Sequence, residues 1–171
     1  MLRWVGVLAR LVVGVVWIVA GLIKLPRPES SVTAVRAYQL LPISTTNVVG
    51  HILPMLEVVV GACLVLGVLT RLVGAVSAVM QLAFVIGISS VWARGISINC
   101  GCFGNGGANP DAIGSYPWEI ARDVGLLLLS LWLVWRPRTP YAVDNLLFPA
   151  RPDTQRAGCA ILEERDVQAE P

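Results

Sequence analysis

The stretch LVGAVSAVMQLAFVIGISSVWA, residues 72–93, decides the fold of this chain because it holds 22 residues and no charged side chain. About 20 apolar residues are enough for an α-helix to cross the hydrocarbon core of a bilayer. The apolar run is continuous, whereas a strand of a membrane β-barrel alternates between apolar and polar residues and is about half as long. The stretch therefore predicts a transmembrane helix.

The composition of the whole chain favours the same class of protein. Hydrophobic residues make up 56% of the 171 residues, charged residues make up 14%, and the mean hydropathy is +0.71. A soluble domain of this size has too little interior to bury so much apolar surface. Four cysteines are too few for a disulfide-rich secreted scaffold. A net charge of +2 gives no reason to expect nucleic-acid binding, so the expected surrounding is membrane lipid.

Three further segments are long and apolar enough to span a bilayer: about residues 4–23, 48–69 and 117–135. The second of these is separated from residues 72–93 by little more than Thr70-Arg71, which predicts an antiparallel hairpin. The predicted fold is all-α, an integral membrane four-helix bundle with four transmembrane helices, over residues 1–136. Residues 137–171 are rich in proline and charge, which is typical of a flexible, disordered tail.

The orientation is predicted from the basic residues that flank the spans. Arg71 lies in the shortest connection, and Arg136 and Arg138 directly follow the last span. Short cytoplasmic loops carry an excess of Lys and Arg, so these residues place both termini in the cytoplasm. The sequence therefore predicts a multi-pass protein of the plasma membrane with a cytoplasmic tail, and with the loop that follows residue 93 outside.

That outer loop contains the sharpest local motif, Asn99-Cys100-Gly101-Cys102-Phe103-Gly104. Two thiols one residue apart, with glycine between them, suit a tight backbone bend and a strained, easily exchanged disulfide. Arg94 and Arg122 flank the loop, and positive charge favours the reactive thiolate. Two alternatives remain open at this stage. The cysteines could form a purely structural bond, or they could join His51 as part of an incomplete metal site.

Glu57 is the second candidate for a functional residue, because it lies well inside the second predicted span. An ionisable side chain at that depth is costly and needs a partner. Lys24, at the end of the first span, is the first candidate, and Arg94 and Arg122 are others. Gly61 and Pro54 share a helix face with Glu57, which predicts that the carboxylate packs against other helices and does not face lipid.

Taken together, several short motifs resemble the MauE family of methylamine-utilisation membrane proteins, within the wider DoxX-like group. The resemblance covers roughly residues 1–135, excludes the tail, and rests on motifs in the family's order: Ala20-Gly21-Leu22-Ile23-Lys24, the stretch Tyr38-Gln39-Leu40-Leu41-Pro42, residues 53–61 with Glu57, Arg94-Gly95, Cys100-Gly101-Cys102-Phe103-Gly104, and Ala121-Arg122-Asp123.

The resemblance implies a four-helix membrane protein linked to extracytoplasmic thiol chemistry, in which Cys100 and Cys102 react. It implies supporting roles for Lys24, Glu57, Arg94, Arg122 and Asp123. The expected partner is a thioredoxin-like or other secreted redox protein, and electrons would pass to a quinone or another membrane thiol.

Two functions of different classes follow from these observations. In the first, the chain is a thiol–disulfide oxidoreductase or an accessory protein of such an enzyme, and its cysteine pair exchanges with the partner. In the second, the chain is a non-catalytic membrane scaffold that assembles a redox complex and uses its loop disulfide only to hold its shape. The redox behaviour of the cysteine pair distinguishes the two functions, because a structural disulfide resists reduction whereas an exchanging disulfide is reduced readily.

Overall fold

Helices dominate the computed structural model, which describes residues 2–40, 42–102, 106–109 and 112–135. The helices of this described part are α1 (Leu2–Lys24), α2 (Pro28–Ala37), α3 (Ile43–Leu66), α4 (Thr70–Ala93) and α5 (Tyr116–Trp135). Between α4 and α5 lie a two-stranded antiparallel hairpin, β1 (Ile98–Cys100) and β2 (Gly106–Ala108), and a 3₁₀ turn, Ala112–Gly114. The predicted tail at 137–171 lies outside the described residues.

Three of the four predicted spans are helices long and apolar enough to cross a membrane, over Trp4–Lys24, Ile43–Leu66 and Thr70–Ala93. The second begins at Ile43, earlier than the predicted residue 48. α5 lies where the fourth span was expected, but it is less apolar because its first turns carry Glu119, Arg122 and Asp123. The all-α prediction is confirmed for the described chain, apart from the small hairpin.

Large apolar side chains cover the outside of the helices. Met55, Val79 and Leu128 are 61–67% exposed, whereas Lys24, Glu57 and Ser130 are almost completely buried. This is the reverse of a soluble domain and is what helices in contact with lipid require. The exposed surface and the three apolar helices identify a multi-pass membrane protein.

The helices associate mainly as two pairs. α1 packs along α3, and α4 packs along α5, whereas α3 and α4 touch little although the short connection of residues 67–69 joins them. α1 and α3 approach closely because glycines face each other: a Cβ on Gly61 would lie 2.6 Å from the carbonyl oxygen of Gly14. Small residues at such crossings let backbones meet in membrane proteins.

Polar side chains connect the two pairs inside the bundle. The indole Nε1 of Trp17 donates to Ser77 Oγ at 2.7 Å, and this hydroxyl lies 2.9 Å from Ser130 Oγ. Ser130 in turn donates to the carbonyl oxygen of Leu126 at 2.9 Å. The chain of hydrogen bonds joins α1, α4 and α5 and satisfies polar groups that have no access to water.

The connection between α1 and α3 contains α2, which the sequence did not predict. α2 begins at Pro28 and carries Glu29 in its first turn. This is a favourable helix start, because the backbone N–H that proline lacks would have no partner in the first turn, and a negative charge stabilises the positive end of the helix dipole. It packs on α3 and on strand β2. α2 therefore holds the hairpin against one end of the bundle.

Candidate functional site

The hairpin between α4 and α5 positions the two cysteines. In its register Ile98 pairs with Ala108 and Cys100 pairs with Gly106, so Cys100 ends the first strand and Cys102 lies in the turn. Gly101 has φ +72°, a left-handed conformation that glycine adopts without steric cost. The expected tight bend between the cysteines is therefore present and depends on the intervening glycine.

Both cysteines are free thiols, so the predicted disulfide is not formed in this structure. Cys100 is 8% exposed and Cys102 is 7% exposed, within an apolar cluster that includes Ile88, Val91 and Tyr116. The backbone N–H of Cys102 donates to Cys100 Sγ, with 3.4 Å between nitrogen and sulfur. The two cysteines are thus held close together in a buried turn.

The thiols differ in acidity. The pKa of Cys100 is lowered because the Cys102 thiol donates a hydrogen bond to its sulfur; burial opposes this, while the Cys102 backbone N–H and the Arg122 charge add to it. The pKa of Cys102 is raised well above its usual value because its thiol is the donor in that bond and because it is buried. Cys100 is therefore the sulfur that ionises first.

Two tyrosines fix the hairpin to the helices. The fully buried Tyr116 accepts from the backbone N–H of Ile98 at 2.8 Å, and its hydroxyl lies 2.9 Å from the carbonyl oxygens of Ile96 and Ile98. Tyr38, at the end of α2, donates to the carbonyl oxygen of Cys100 at 2.7 Å. Burial raises the pKa of Tyr38, which keeps its hydroxyl a neutral donor. The strand with Cys100 is thus held from both sides.

A buried ion pair lies beneath the hairpin. Lys24 Nζ is 2.5 Å from Glu57 Oε1, and the side chains are 2% and 0% exposed. The same ammonium lies 5.7 Å from the ring centroid of Phe84. Glu57 Oε2 has no hydrogen-bond partner in the structure. Lys24 is the partner that the sequence put first for Glu57, and the carboxylate is buried among helices as predicted.

A second ion pair lies on α5 beside the cysteines. Arg122 Nε donates to Asp123 Oδ1 at 2.9 Å, and a guanidinium nitrogen lies at the same distance from that oxygen. The other carboxylate oxygen, Asp123 Oδ2, is buried and has no hydrogen-bond partner in the structure. Each ion pair therefore leaves one carboxylate oxygen without a donor.

Three cavities bordered by described residues lie around the site. The first, about 20 Å³, is bordered by Cys102, Glu57, Gln81, Arg122 and Asp123 among others. The second, also about 20 Å³, is bordered by Cys100, Lys24, Ser31 and Tyr38 among others. The third is an apolar cleft of about 310 Å³ between α2, α3 and α4. Phe84 borders all three cavities.

The structure brings most of the predicted site residues together at one end of the bundle: Lys24, Glu57, Cys100, Cys102, Arg122 and Asp123. Arg94 is different, because it donates to the carbonyl oxygens of Ser90 and Tyr38. It was expected to raise the positive charge at the thiols, and instead it ties the end of α4 to the end of α2. Of the two arginines, Arg122 is the one whose charge lowers the pKa of Cys100.

The described residues do not place His51 beside the cysteine pair. Within residues 2–40, 42–102, 106–109 and 112–135, no group of three or more His, Cys, Asp and Glu side chains could hold a metal ion. His51 is exposed, and its Nδ1 lies 2.8 Å from the carbonyl oxygen of Asn47, one turn away on the same helix. It therefore does not join the cysteine pair.

Sequence reasoning missed four residues that shape the site. Tyr38, Gln81, Phe84 and Tyr116 border its cavities or hold its hairpin. Tyr38 stands in a motif that contributed to the family resemblance, but nothing in the sequence indicates that it contacts Cys100. Gln81 gave the clearest signal, because an amide inside an uncharged span needs a buried partner.

The comparisons with known proteins agree with the motifs. The model of the family described as methylamine utilisation protein MauE matches residues 2–136. No curated protein and no solved structure matches the chain. The match covers α1 to α5 and the hairpin, and therefore every residue of the site described above. The chain belongs to the MauE family.

Proposed function

We propose that this protein exchanges disulfides with an extracytoplasmic partner through Cys100 and Cys102. The observation that carries the proposal is the contrast between the two sulfurs: they are hydrogen-bonded neighbours, and the pKa of Cys100 is lowered while that of Cys102 is raised. A pair of this kind supplies one nucleophile and one resolving thiol. The partner is a thioredoxin-like or other secreted redox protein, and the family's description directs the search to envelope proteins of methylamine utilisation.

The exchange balances as two successive displacements. The Cys100 thiolate attacks one sulfur of the partner's disulfide, which forms a mixed disulfide and releases the partner's other sulfur as a thiolate. Cys102 then loses its proton and attacks Cys100 Sγ, so the Cys100–Cys102 bond forms and the second partner sulfur leaves. Two electrons pass from the cysteine pair to the partner. The reverse sequence oxidises a partner dithiol, and the two reduction potentials set the direction.

The proposed topology has four spans, α1, α3, α4 and α5, with the hairpin outside and both termini cytoplasmic. This topology is supported by the position of the charged residues in α5. Arg122 and Asp123 pair with each other and line an internal cavity, so they are not offered to lipid, and the helix beyond Asp123 carries no charge. Arg71, at the start of α4, lies at the opposite end from the hairpin, where the positive-inside rule expects a cytoplasmic residue.

The scaffold function remains the second candidate, and the burial of both sulfurs favours it. Cys100 and Cys102 are less than a tenth exposed and belong to the cluster that holds the hairpin. A partner reaches them only if the hairpin shifts. In the scaffold model the thiols pack or form a bond that never exchanges.

Trapping the mixed disulfide distinguishes the two candidates. In cells, Cys102→Ala removes the resolving thiol but keeps the nucleophile, so we expect it to accumulate a reducible crosslink to the partner. Cys100→Ala is expected to trap little or nothing, and Cys63→Ala, which changes a cysteine in α3, is the matched control. If neither loop variant traps a partner and the parent pair never changes redox state, the scaffold function takes the place of exchange.

A further inference from the structure

The cavity beside Cys102 has the dimensions and the lining of a site for a single water molecule. Its volume is about 20 Å³, and about 10–15 Å³ is enough to hold one water. Three charged side chains border this cavity, Glu57, Arg122 and Asp123. Arg122 pairs with Asp123, and Lys24, which does not border the cavity, pairs with Glu57. The charges of the two pairs sum to zero, so the cavity calls for a neutral occupant and not for an ion.

Two unpaired acceptors lie at this cavity. Glu57 and Asp123 both border it, both are at least 97% buried, and each has one oxygen with no hydrogen-bond partner. A buried acceptor without a donor is destabilising, and more so when it is charged. One water molecule has two hydrogens to donate and can therefore satisfy Glu57 Oε2 and Asp123 Oδ2 together, while its oxygen accepts from a third group.

Cys102 also borders this cavity, whereas Cys100 borders the other small one. The two thiols thus face different surroundings although one residue separates them. The second displacement of the proposed exchange requires Cys102 to lose its proton. The cavity beside Cys102 is bordered by carboxylates that can accept this proton, and Cys100 does not border that cavity.

We propose that this cavity holds one water molecule, which carries the proton of Cys102 to Asp123 Oδ2 when Cys102 attacks Cys100. The Cys102 S–H bond breaks, its proton passes to the water, and the water passes one of its own protons to the carboxylate. The electron pair of the S–H bond stays on sulfur and forms the Cys100–Cys102 bond as the partner sulfur leaves. Asp123 acts through the water, and Arg122 positions its carboxylate.

This inference rests on the proposed function, and a two-phase reaction separates their tests. The full-length protein with Cys63→Ala and Cys159→Ala is reduced and mixed with 5,5′-dithiobis(2-nitrobenzoic acid). Cys100 releases one thionitrobenzoate, and Cys102 releases the second as it closes the disulfide. If the parent releases no second equivalent, the exchange function itself fails. The water site is judged only from the rate of the second release.

Asp123→Asn is expected to slow the second release at least tenfold and to leave the first unchanged, since a positioned base contributes about 10²–10⁴-fold. The remaining rate should rise tenfold per pH unit, because hydroxide then takes the proton. Glu119→Gln is the matched control: its carboxylate is one turn earlier on α5 and is bonded to Ser115, and the second release should not change. An unchanged rate and pH profile in Asp123→Asn would overturn the proposal.

Two further measurements test the proposed water molecule if Asp123→Asn does not fold. Ala20 borders the same cavity and carries no charge, so Ala20→Val should displace the water and slow the second release with a steeper pH profile. In the parent, the second release should vary little with pH while Asp123 is ionised. A parent rate that rises tenfold per pH unit over the whole range would show that solvent hydroxide takes the proton, and the proposal would be wrong.

Discussion

The ammonium of Lys24 lies 2.5 Å from Glu57 Oε1, although 33 positions separate the two residues, and neither side chain is more than 2% exposed. The pair joins the end of α1 to the middle of α3. Removing one member leaves the other charge buried without compensation, which costs about 3–5 kcal/mol. We therefore expect Glu57→Gln and Lys24→Met each to lower the midpoint of thermal unfolding in detergent, while membrane insertion remains intact.

A double-mutant cycle provides the control for this pair. In the Lys24→Met/Glu57→Gln protein no charge is left over, so most of the stability lost in either single variant should return. If the losses of the single variants simply add, the two residues are not coupled. If Glu57→Leu alone raised both stability and activity, Glu57 would have no role in the site.

The crossing of α1 and α3 predicts the effect of adding a single methyl group. In Gly61→Ala the new Cβ would lie 2.6 Å from the carbonyl oxygen of Gly14, so the helices must separate. We expect a loss of about 1–3 kcal/mol in the free energy of unfolding, as for other overpacked sites. Gly125→Ala is the matched control, because nothing lies within 4 Å of a Cβ at that position of α5.

The control should be neutral or gain up to about 1 kcal/mol, since alanine favours a helix over glycine. Chemical unfolding of both variants in the same mild detergent measures the difference. Equal stability of Gly61→Ala and Gly125→Ala would contradict the close crossing of α1 and α3.

The acidity of Cys100 predicts the pH dependence of its alkylation. Its pKa is lowered mainly by the hydrogen bond from the Cys102 thiol, so its thiolate persists to lower pH than that of an ordinary cysteine. Cys102→Ala removes the donor, and the pKa of Cys100 should then rise. The rate of reaction with iodoacetamide should consequently reach half of its maximum at a higher pH in Cys102→Ala than in the parent.

Cys102→Ser is the matched variant for this experiment because a hydroxyl still donates a hydrogen bond. Its midpoint should lie nearer to that of the parent. All three proteins lack Cys63 and Cys159, so Cys100 is the remaining thiol in the two variants and the first to ionise in the parent. Identical midpoints in all three proteins would show that the hydrogen bond between the thiols does not control the acidity of Cys100.

The proposed topology is testable from the 3₁₀ turn. Ile113 is 44% exposed on the hairpin side of the bundle, so a cysteine placed there should be accessible from outside. In a protein without Cys63, Cys100 and Cys102, we expect Ile113→Cys to react with a membrane-impermeant maleimide in intact cells. Cys159, in the proposed cytoplasmic tail, should react only after the cells are opened. The opposite pattern would reverse the orientation.

Some features could be predicted from the sequence because they depend on local composition or on a small number of partners. The spans follow from runs of apolar residues, and α5 lies close to its predicted bounds. Glu57 could be paired with Lys24 because few cations are available at that depth. The bend at Gly101 follows from the only residue type that readily takes its φ of +72°.

Other features depend on contacts between distant segments and leave no local signal. α2 has only ten residues and is polar, so neither its length nor its hydropathy marks it. Its position nevertheless decides that Arg94 bonds to Tyr38 and not to the thiols. The hairpin is held to α5 by the hydroxyl of Tyr116, which accepts from the backbone N–H of Ile98, 18 positions earlier. Such contacts are set by tertiary packing, which a single sequence does not show.

The pairing of α1 with α3, and of α4 with α5, has a consequence for synthesis in the cell. The first helix emerges with Lys24 at its end, and the partner carboxylate of Glu57 follows only after 33 further positions have been translated. Until then the ammonium must stay hydrated at the membrane surface, because burying it alone is costly. The charged side chains are therefore buried late, when the second helix of each pair has been synthesised. The hairpin with the cysteines is fixed to the bundle only after α5, with Tyr116, has been made.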